Sequence, residues 1–228
     1  MDFGRAFSYA FQDPDWLKKV GLAAVIMLIP VVGSIVVLGW GLEITRRLIN
    51  NETDLLPDWS NFGEFLSKGF QAFVVTLAYL LPSLVINICQ QGIAISMNAA
   101  ANSGNGSQQM AGVAGFAAIC LSCLSIVFSI AAGFLIPAAL GTLADTGQLG
   151  AAFRFNQIIG LVRSAPGPYL LQLLVVGVAS LILIPVGIIV CIVGVLAVSA
   201  YLTTVSSHLT GQSYKIARAA QAATGATI

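Results

Sequence analysis

The ten basic and nine acidic residues of this 228-residue chain fall in four short windows, at 2–19, 43–68, 145–163 and 215–218, and no other feature constrains its fold as much. Charge-free stretches run between them, at 20–42, 69–144 and 164–214. A helix needs about 20 apolar residues to cross the hydrocarbon of a bilayer. The second and third stretches are therefore long enough for two crossings each. Hydrophobic residues make up 57% of the chain, charged residues 8%, and mean hydropathy is +0.92. A soluble domain carries about a quarter charged residues; a chain this poor in charge could not cover a water-facing surface. Net charge is +1, so nothing suggests a nucleic-acid partner. The whole of 1–228 is read as a single integral membrane domain, with no cleaved signal, because Asp2, Asp13 and Asp15 precede the first apolar run.

Along the chain, residues 2–12 read as a helix lying in the membrane interface, since Phe3, Phe7 and Phe11 recur every four residues on one face. Asp13 suits an N-cap, Pro14 the first helical position, and Trp16 with Lys18 and Lys19 a membrane boundary. The run Val20 to Leu42 is either one span kinked at Pro30 or a shallow hairpin turning at Pro30 to Gly33. Asn61 and Glu64 are placed to cap the next helix reciprocally. That helix runs to about Met97 with a bend at Pro82, and a polar linker 98–109 follows. A helix over 110–137 returns, 145–167 is a second interfacial segment, and two last spans cover 168–184 and 186–208. The fold class is all-α: a polytopic membrane helix bundle of about six membrane helices, the first pair a shallow hairpin, with five spans as the fallback and interfacial amphipathic helices beside them.

Residues 1–50 and 147–211 share a pattern. Gly4 to Tyr9 parallels Gly150 to Phe155, then come Pro14 and Pro168, then Ile29-Pro30 and Ile184-Pro185, then Gly39 and Gly194. A parallel internal repeat and chance matching in apolar sequence both account for it. With the hairpin, all charged windows fall on one side of the membrane. The positive-inside rule then puts both termini in the cytoplasm.

Several segments resemble an uncharacterised family of prokaryotic multi-pass membrane proteins, a domain of unknown function. They are Met1 to Tyr9, Asp13-Pro14-Asp15-Trp16 with Lys18 and Lys19, Ile29-Pro30 through Gly33, Arg46-Arg47, Leu56-Pro57-x-Trp59 with Phe62-Gly63, and His208 to Gln212 with Tyr214. The resemblance implies a cell-membrane protein and brings no mechanism.

No nucleophile, base and orienting group can be assembled, and no acidic residue lies mid-span to mark an ion path. The chain is expected to be non-catalytic and to hold no metal or cofactor. His208 could ligate a haem or pigment, but a hydrogen-bonded interfacial histidine is the plainer reading. Cys89, Cys120, Cys123 and Cys191 read as small buried hydrophobes. Glu43, Arg46 and Arg47 share a helical neighbourhood, as an ion cluster anchoring a helix end or as a headgroup or partner contact. Asn87, Gln90 and Gln91 suit interhelical hydrogen bonds. Ala111, Gly115, Ala118, Ser122, Ser125, Ser129 and Ala132 follow steps of four and three and are all small. Such a stripe packs a helix closely, either within this chain or against a partner. The expected function is an accessory or assembly subunit docking in the bilayer against another membrane protein or itself. A small transporter or pore for a neutral or lipid-like substrate is the alternative. Membrane lipids, subunits of a larger complex and a homo-oligomer are the expected partners.

Overall fold

The apolar run from Val20 to Leu42 does not form one helix. In a computed structural model of the chain, α2 (Trp16–Ile26) and α3 (Val32–Ile49) are separate. The structure describes every residue except 53–55, 103–107, 224 and 226–228, and leaves the side chains of 108–111, 191 and 192 outside the description. The chain reverses around Val31, where the Val32 amide donates to the Pro30 carbonyl at 2.7 Å. Val31 has φ 65° and ψ −61°, the strained form of γ-turn that a β-branched residue rarely adopts. What holds it is the contact behind it: a Cβ added at Gly33 would stand 1.9 Å from the Ile26 carbonyl oxygen. At 1.5 Å per residue, the 11 and 18 residues of the two helices reach about 16 and 27 Å, short of the ~30 Å hydrocarbon. The pair is a shallow hairpin.

The other helices are α1 (Phe3–Ser8), α4 (Phe62–Asn102), α5 (Gln108–Thr146), α6 (Leu149–Ala152), α7 (Phe155–Ser164), α8 (Pro166–Ile189) and α9 (Cys191–Ala223). Single 3-10 turns lie at Ala10–Gln12 and Trp59–Asn61, and there is no strand among the described residues. Among the described residues, four segments are long and apolar enough to cross a membrane: Trp59–Asn102, Gly112–Thr146, Pro166–Ile189 and Val193–Ala223. The protein is an all-α membrane bundle. The last segment has a mean hydropathy of 1.2 against 2.1 to 2.5 for the others, because it carries the buried Thr204, Ser207, His208, Thr210 and Ser213.

The helices overrun the predicted ends. Pro82 and Pro137 lie inside α4 and α5, which continue to Asn102 and Thr146. The last two helices part at Val190, not at Pro185, which lies in the final turns of α8. A proline removes one hydrogen bond but need not end a helix. The reversal falls instead where two glycines let the helices close, since a Cβ on Gly194 would lie 2.4 Å from the Gly187 carbonyl oxygen. Pro30 sits in a turn and Pro185 in a helix, so the two Ile-Pro pairs occupy different structural places.

The N-terminal segment also departs from a single interfacial helix. It breaks at Tyr9 into α1 and the following 3-10 turn. Asp2 caps α1, its Oδ1 accepting from the Arg5 amide at 2.9 Å. The buried contacts come from Ala6, packed with Val205 and Leu209, and from Tyr9 and Ala10.

The chain forms two compact units. One joins Met1–Val75 and Phe134–Ile228; the other is Thr76–Gly133. The first holds every charged residue among those described. In it α3 and α4 touch backbone to backbone: added Cβ atoms at Gly39 and Gly69 would stand 1.9 Å from the Phe65 carbonyl oxygen and 1.8 Å from that of Ile35. Beside this crossing Trp40, Val36, Val37, Ile44, Leu56 and Phe65 form a buried core. Gly41 faces Ser207 and Thr203 of α9, Gly141 of α5 faces Tyr214, and Gly211 of α9 faces Leu48. The second unit is a helical hairpin made from parts of α4 and α5.

Replacing Gly39 by alanine is expected to lower unfolding stability in detergent by about 3 kcal/mol, because a backbone oxygen cannot move aside. Gly21→Ala, which meets open space, should change it by less than about 1 kcal/mol. Thermal unfolding of the two variants side by side checks this, and equal midpoints would contradict the crossing.

Candidate functional site

Glu43 lies just past the apolar run, near the charged end of α3, and its side chain is 93% buried. Three cations converge on it. Arg46 Nη2 donates to Glu43 Oε1 at 2.6 Å, Arg47 Nε lies 3.4 Å from the same oxygen, and Lys68 Nζ reaches Glu43 Oε2 at 2.6 Å. Arg46 also pairs with Glu52 at 3.0 Å, and Lys68 with Glu64 at 2.5 Å. Burial by itself would push the Glu43 carboxyl up; hydrogen bonds from Arg46 and Lys68 outweigh that and hold it at about 2. The triad of Glu43, Arg46 and Arg47 is adjacent in sequence, whereas Lys68 arrives from the next helix, where sequence spacing carries no signal of it. Glu64 is spent on Lys68, so the reciprocal cap with Asn61 is not formed. A cavity of about 240 Å³ opens beside the cluster, lined by Glu43, Arg46, Glu64, Ser67, Lys68 and Gln71 among others.

A second buried ion pair ties the chain's start to the loop before α4. Asp13 caps no helix; α2 starts at Trp16 after Asp15. The Asp13 carboxylate instead accepts from Lys19 Nζ at 2.9 Å, from the Leu56 amide at 3.2 Å and from the Asp15 amide at 2.8 Å. Burial raises its pKa, but these donors bring it below the ordinary range. Lys19 also donates to the Leu56 carbonyl at 2.8 Å, and the Trp59 indole donates to the Lys19 carbonyl at 2.9 Å. The Trp40 indole donates to the Pro57 carbonyl at 3.0 Å and stacks on Trp59 at 5.3 Å. Asp13 to Lys19 and Leu56 to Trp59, distant in sequence, thus form one clasp. Sequence reasoning singled out both segments but missed that they meet.

Deeper in the same unit lies a cavity of about 270 Å³ lined by Thr45, Thr203, Ser206, Ser207 and Thr210 together with Leu38, Leu42, Leu140 and Val176. Thr45, Thr203 and Thr210 return their hydroxyls to helix carbonyls. His208, 1% exposed, sits under Tyr9 with ring centroids 4.4 Å apart, and its Nδ1 meets Gln212 Nε2 at 3.1 Å.

Of the predicted membrane anchors, Phe11 is exposed and its ring meets Trp16 at 4.8 Å and Tyr201 at 5.6 Å. Phe3 and Phe7 are half-buried against the Ala6 cluster, and the Phe7 carbonyl accepts from the Tyr201 hydroxyl at 2.7 Å. The three phenylalanines do not share one free face.

The small-residue stripe on α5 divides in two. Ser125 Oγ accepts from Asn87 at 3.2 Å, Ser122 Oγ and the Ala118 carbonyl from Gln90 at 2.8 and 3.2 Å, and Ser129 Oγ donates to Ser83 Oγ at 3.4 Å. Ala132 is buried. That part faces α4 within the hairpin. Gly115 meets nothing, its Cβ position being open for 4 Å, and the Ala111 side chain lies outside the described residues. The cysteines correct a prediction: Cys89, Cys120 and Cys123 are exposed, not buried, while the Cys191 side chain lies outside the description. On a membrane hairpin the outside is hydrocarbon, which a thiol tolerates.

The description "Protein of unknown function (DUF4013)" belongs to a family that matches residues 22–211. The chain belongs to that family. The matched range takes in Ile29-Pro30, Arg46-Arg47 and Leu56 to Gly63, and leaves the Asp13 to Lys19 segment outside it. No curated protein and no solved structure matches the chain.

Because the folded-state pKa of Glu43 lies below its ordinary value of 4.5, its contribution to stability is fully present above about pH 4.5 and lost as pH falls through about 2. Detergent stability of Glu43→Gln is expected to be lower than wild type at pH 7 and to converge toward it in acid, read from unfolding midpoints across pH 7 to 3. Parallel profiles for the two proteins would contradict a charged Glu43.

Proposed function

We propose that this is a non-catalytic, multi-pass protein of the prokaryotic cell membrane, an accessory or assembly subunit that docks in the bilayer through the Thr76–Gly133 hairpin. One observation carries the reading. In the first unit Gly33, Gly39, Gly41, Gly69 and Gly141 each stand where a Cβ would clash, while Gly21, Gly63, Gly167 and Gly177 there meet nothing; in the hairpin all three of Gly92, Gly112 and Gly115 meet nothing. A glycine inside a helix costs about 1 kcal/mol relative to alanine. In a membrane it is favoured where another backbone approaches closely. Those three are therefore read as places for a helix of another subunit, or of a second copy. The hairpin bears no charge, its polar Asn87, Gln90 and Ser122 bond one another or nearby carbonyls, and Ile88, Ile95, Val113, Phe116 and Ile119 face outward.

Gathering all ten basic residues on one side supports cytoplasmic termini. In a cysteine-free background, cysteines at Ser60 and Ser107 should label from opposite sides of intact cells, and external labelling of both would overturn that orientation.

A second reading, handling of a neutral or lipid-like substrate, is favoured by the hydroxyl-lined cavity of about 270 Å³. The two diverge at the hairpin. Gly115→Phe is expected to leave the unfolding midpoint within about 1 °C of wild type and to remove a co-purifying subunit, or the second copy, on a sizing column. Ser125→Phe, which faces Asn87 of the same chain, should instead lower the midpoint by several degrees. A Gly115→Phe protein that elutes with the wild-type assembly would rule out docking there.

A further inference from the structure

Where the end of α5, the start of α7 and the end of α9 meet, a pocket of about 180 Å³ differs in charge from the one beside Glu43. It is lined by Arg154, Arg218, Gln148, Gln157, Thr146 and Tyr214 among others, and no carboxylate lines it. Arg218 is held in place: its Nη1 lies 3.4 Å from Asp145 Oδ2 and 3.2 Å from the Tyr214 hydroxyl, which itself donates to Asp145 at 2.8 Å. That one carboxylate is thereby engaged. Arg154 makes no ion pair among the described residues, is exposed, and lines the pocket. Beside Glu43, by contrast, Arg46 and Lys68 meet Glu43 and Glu64 in equal number. A positive excess with neutral amide and hydroxyl groups around it suits an anion. Guanidinium groups bind phosphate oxygens in paired hydrogen bonds.

We propose that this pocket binds the phosphodiester of an anionic membrane phospholipid. The lipid is chosen over a free solute by the surroundings. α7 turns Ile158 and Leu161 into the protein, while Phe155, next to Arg154, is 51% exposed, as at the boundary between headgroups and acyl chains. The volume admits a headgroup and excludes acyl chains, which would run down the apolar side past Phe155.

The test uses the full chain in mild detergent, with thermal unfolding read against added phosphatidylglycerol, phosphatidylcholine or inorganic phosphate. Phosphatidylglycerol is expected to raise the midpoint saturably and phosphatidylcholine to leave it unchanged. Arg154→Gln should raise the half-saturating lipid concentration about tenfold. Arg154→Lys should raise it less, and Arg163→Gln, the same charge change outside the pocket, should leave it at the wild-type value. The proposal is overturned if both lipids act alike, or if Arg163→Gln weakens the response as much as Arg154→Gln. It is equally overturned if millimolar phosphate reproduces the shift in an Arg154-dependent way, because the ligand would then be a free phosphate compound. Should Arg154→Gln not fold, Arg154→Lys and native mass spectrometry of the wild type with the two lipids read the same preference.

Discussion

The contact of α3 with α4 at Gly39 and Gly69 is the one on which most of the first unit depends. With side chains at either position the two backbones could not come within van der Waals reach. Because they do, Lys68, one residue before Gly69, reaches Glu43, one turn beyond Gly39. Such a crossing needs no polar group of its own, since in lipid close packing rather than water exclusion drives helices together. The Lys68 arm of the ion cluster is a consequence of it. A carboxylate as buried as Glu43 would be costly alone. Arg46 and Arg47 of the same helix offset part of that cost, and Lys68 joins them because the glycines have set the distance between the two helices.

The same logic separates the two units. Charge, glycine contacts and buried aromatic residues are all concentrated in the first, where short elements such as α1, α2 and α3 have little hydrophobic length and must be held by specific interactions. The clasp of Asp13 and Lys19 on Leu56, and of Trp59 on Lys19, does this for the start of the chain. The hairpin needs none of it. Two long apolar helices satisfy their own backbones and insert as they are, and six polar side chains of α4 and α5, paired across the hairpin, suffice to fix their register. Gly92, Gly112 and Gly115 of that hairpin meet no neighbour within the chain.

What could be read in the sequence was what repeats locally. Long charge-free runs gave the spanning segments, Glu43 with Arg46 and Arg47 gave the cluster because all three lie within one helical turn, and Asn87 and Gln90 stood out as polar groups in apolar surroundings. Pro30 and Gly33 marked the first hairpin. Pro185 misled, because a proline near a helix end looks the same in sequence whether the helix stops there or runs on to Val190. Asp13 misled for a related reason: an aspartate before a proline has the look of a cap, and only the fold brings Leu56 and Lys19 to its oxygens. Lys68, Arg218 and the Gly39–Gly69 crossing could not be read at all, since each depends on which helix lies beside which.

The two charged pockets show how one composition serves two purposes. Around Glu43, cations and carboxylates are matched, every one of the close pairs is internal, and the arrangement has the character of a fastening. Around Arg154 the balance is broken by the absence of a carboxylate from the pocket lining. Asp145 is engaged elsewhere: it pairs with Arg218 and accepts from the Tyr214 hydroxyl, which in turn accepts from Arg218. Tyr214 can stand there because Gly141 of α5 leaves room for its ring, a Cβ on that glycine lying 2.7 Å from the ring edge. A glycine contact between helices thus helps decide, at both pockets, which charges are satisfied within the protein and which are left for something else.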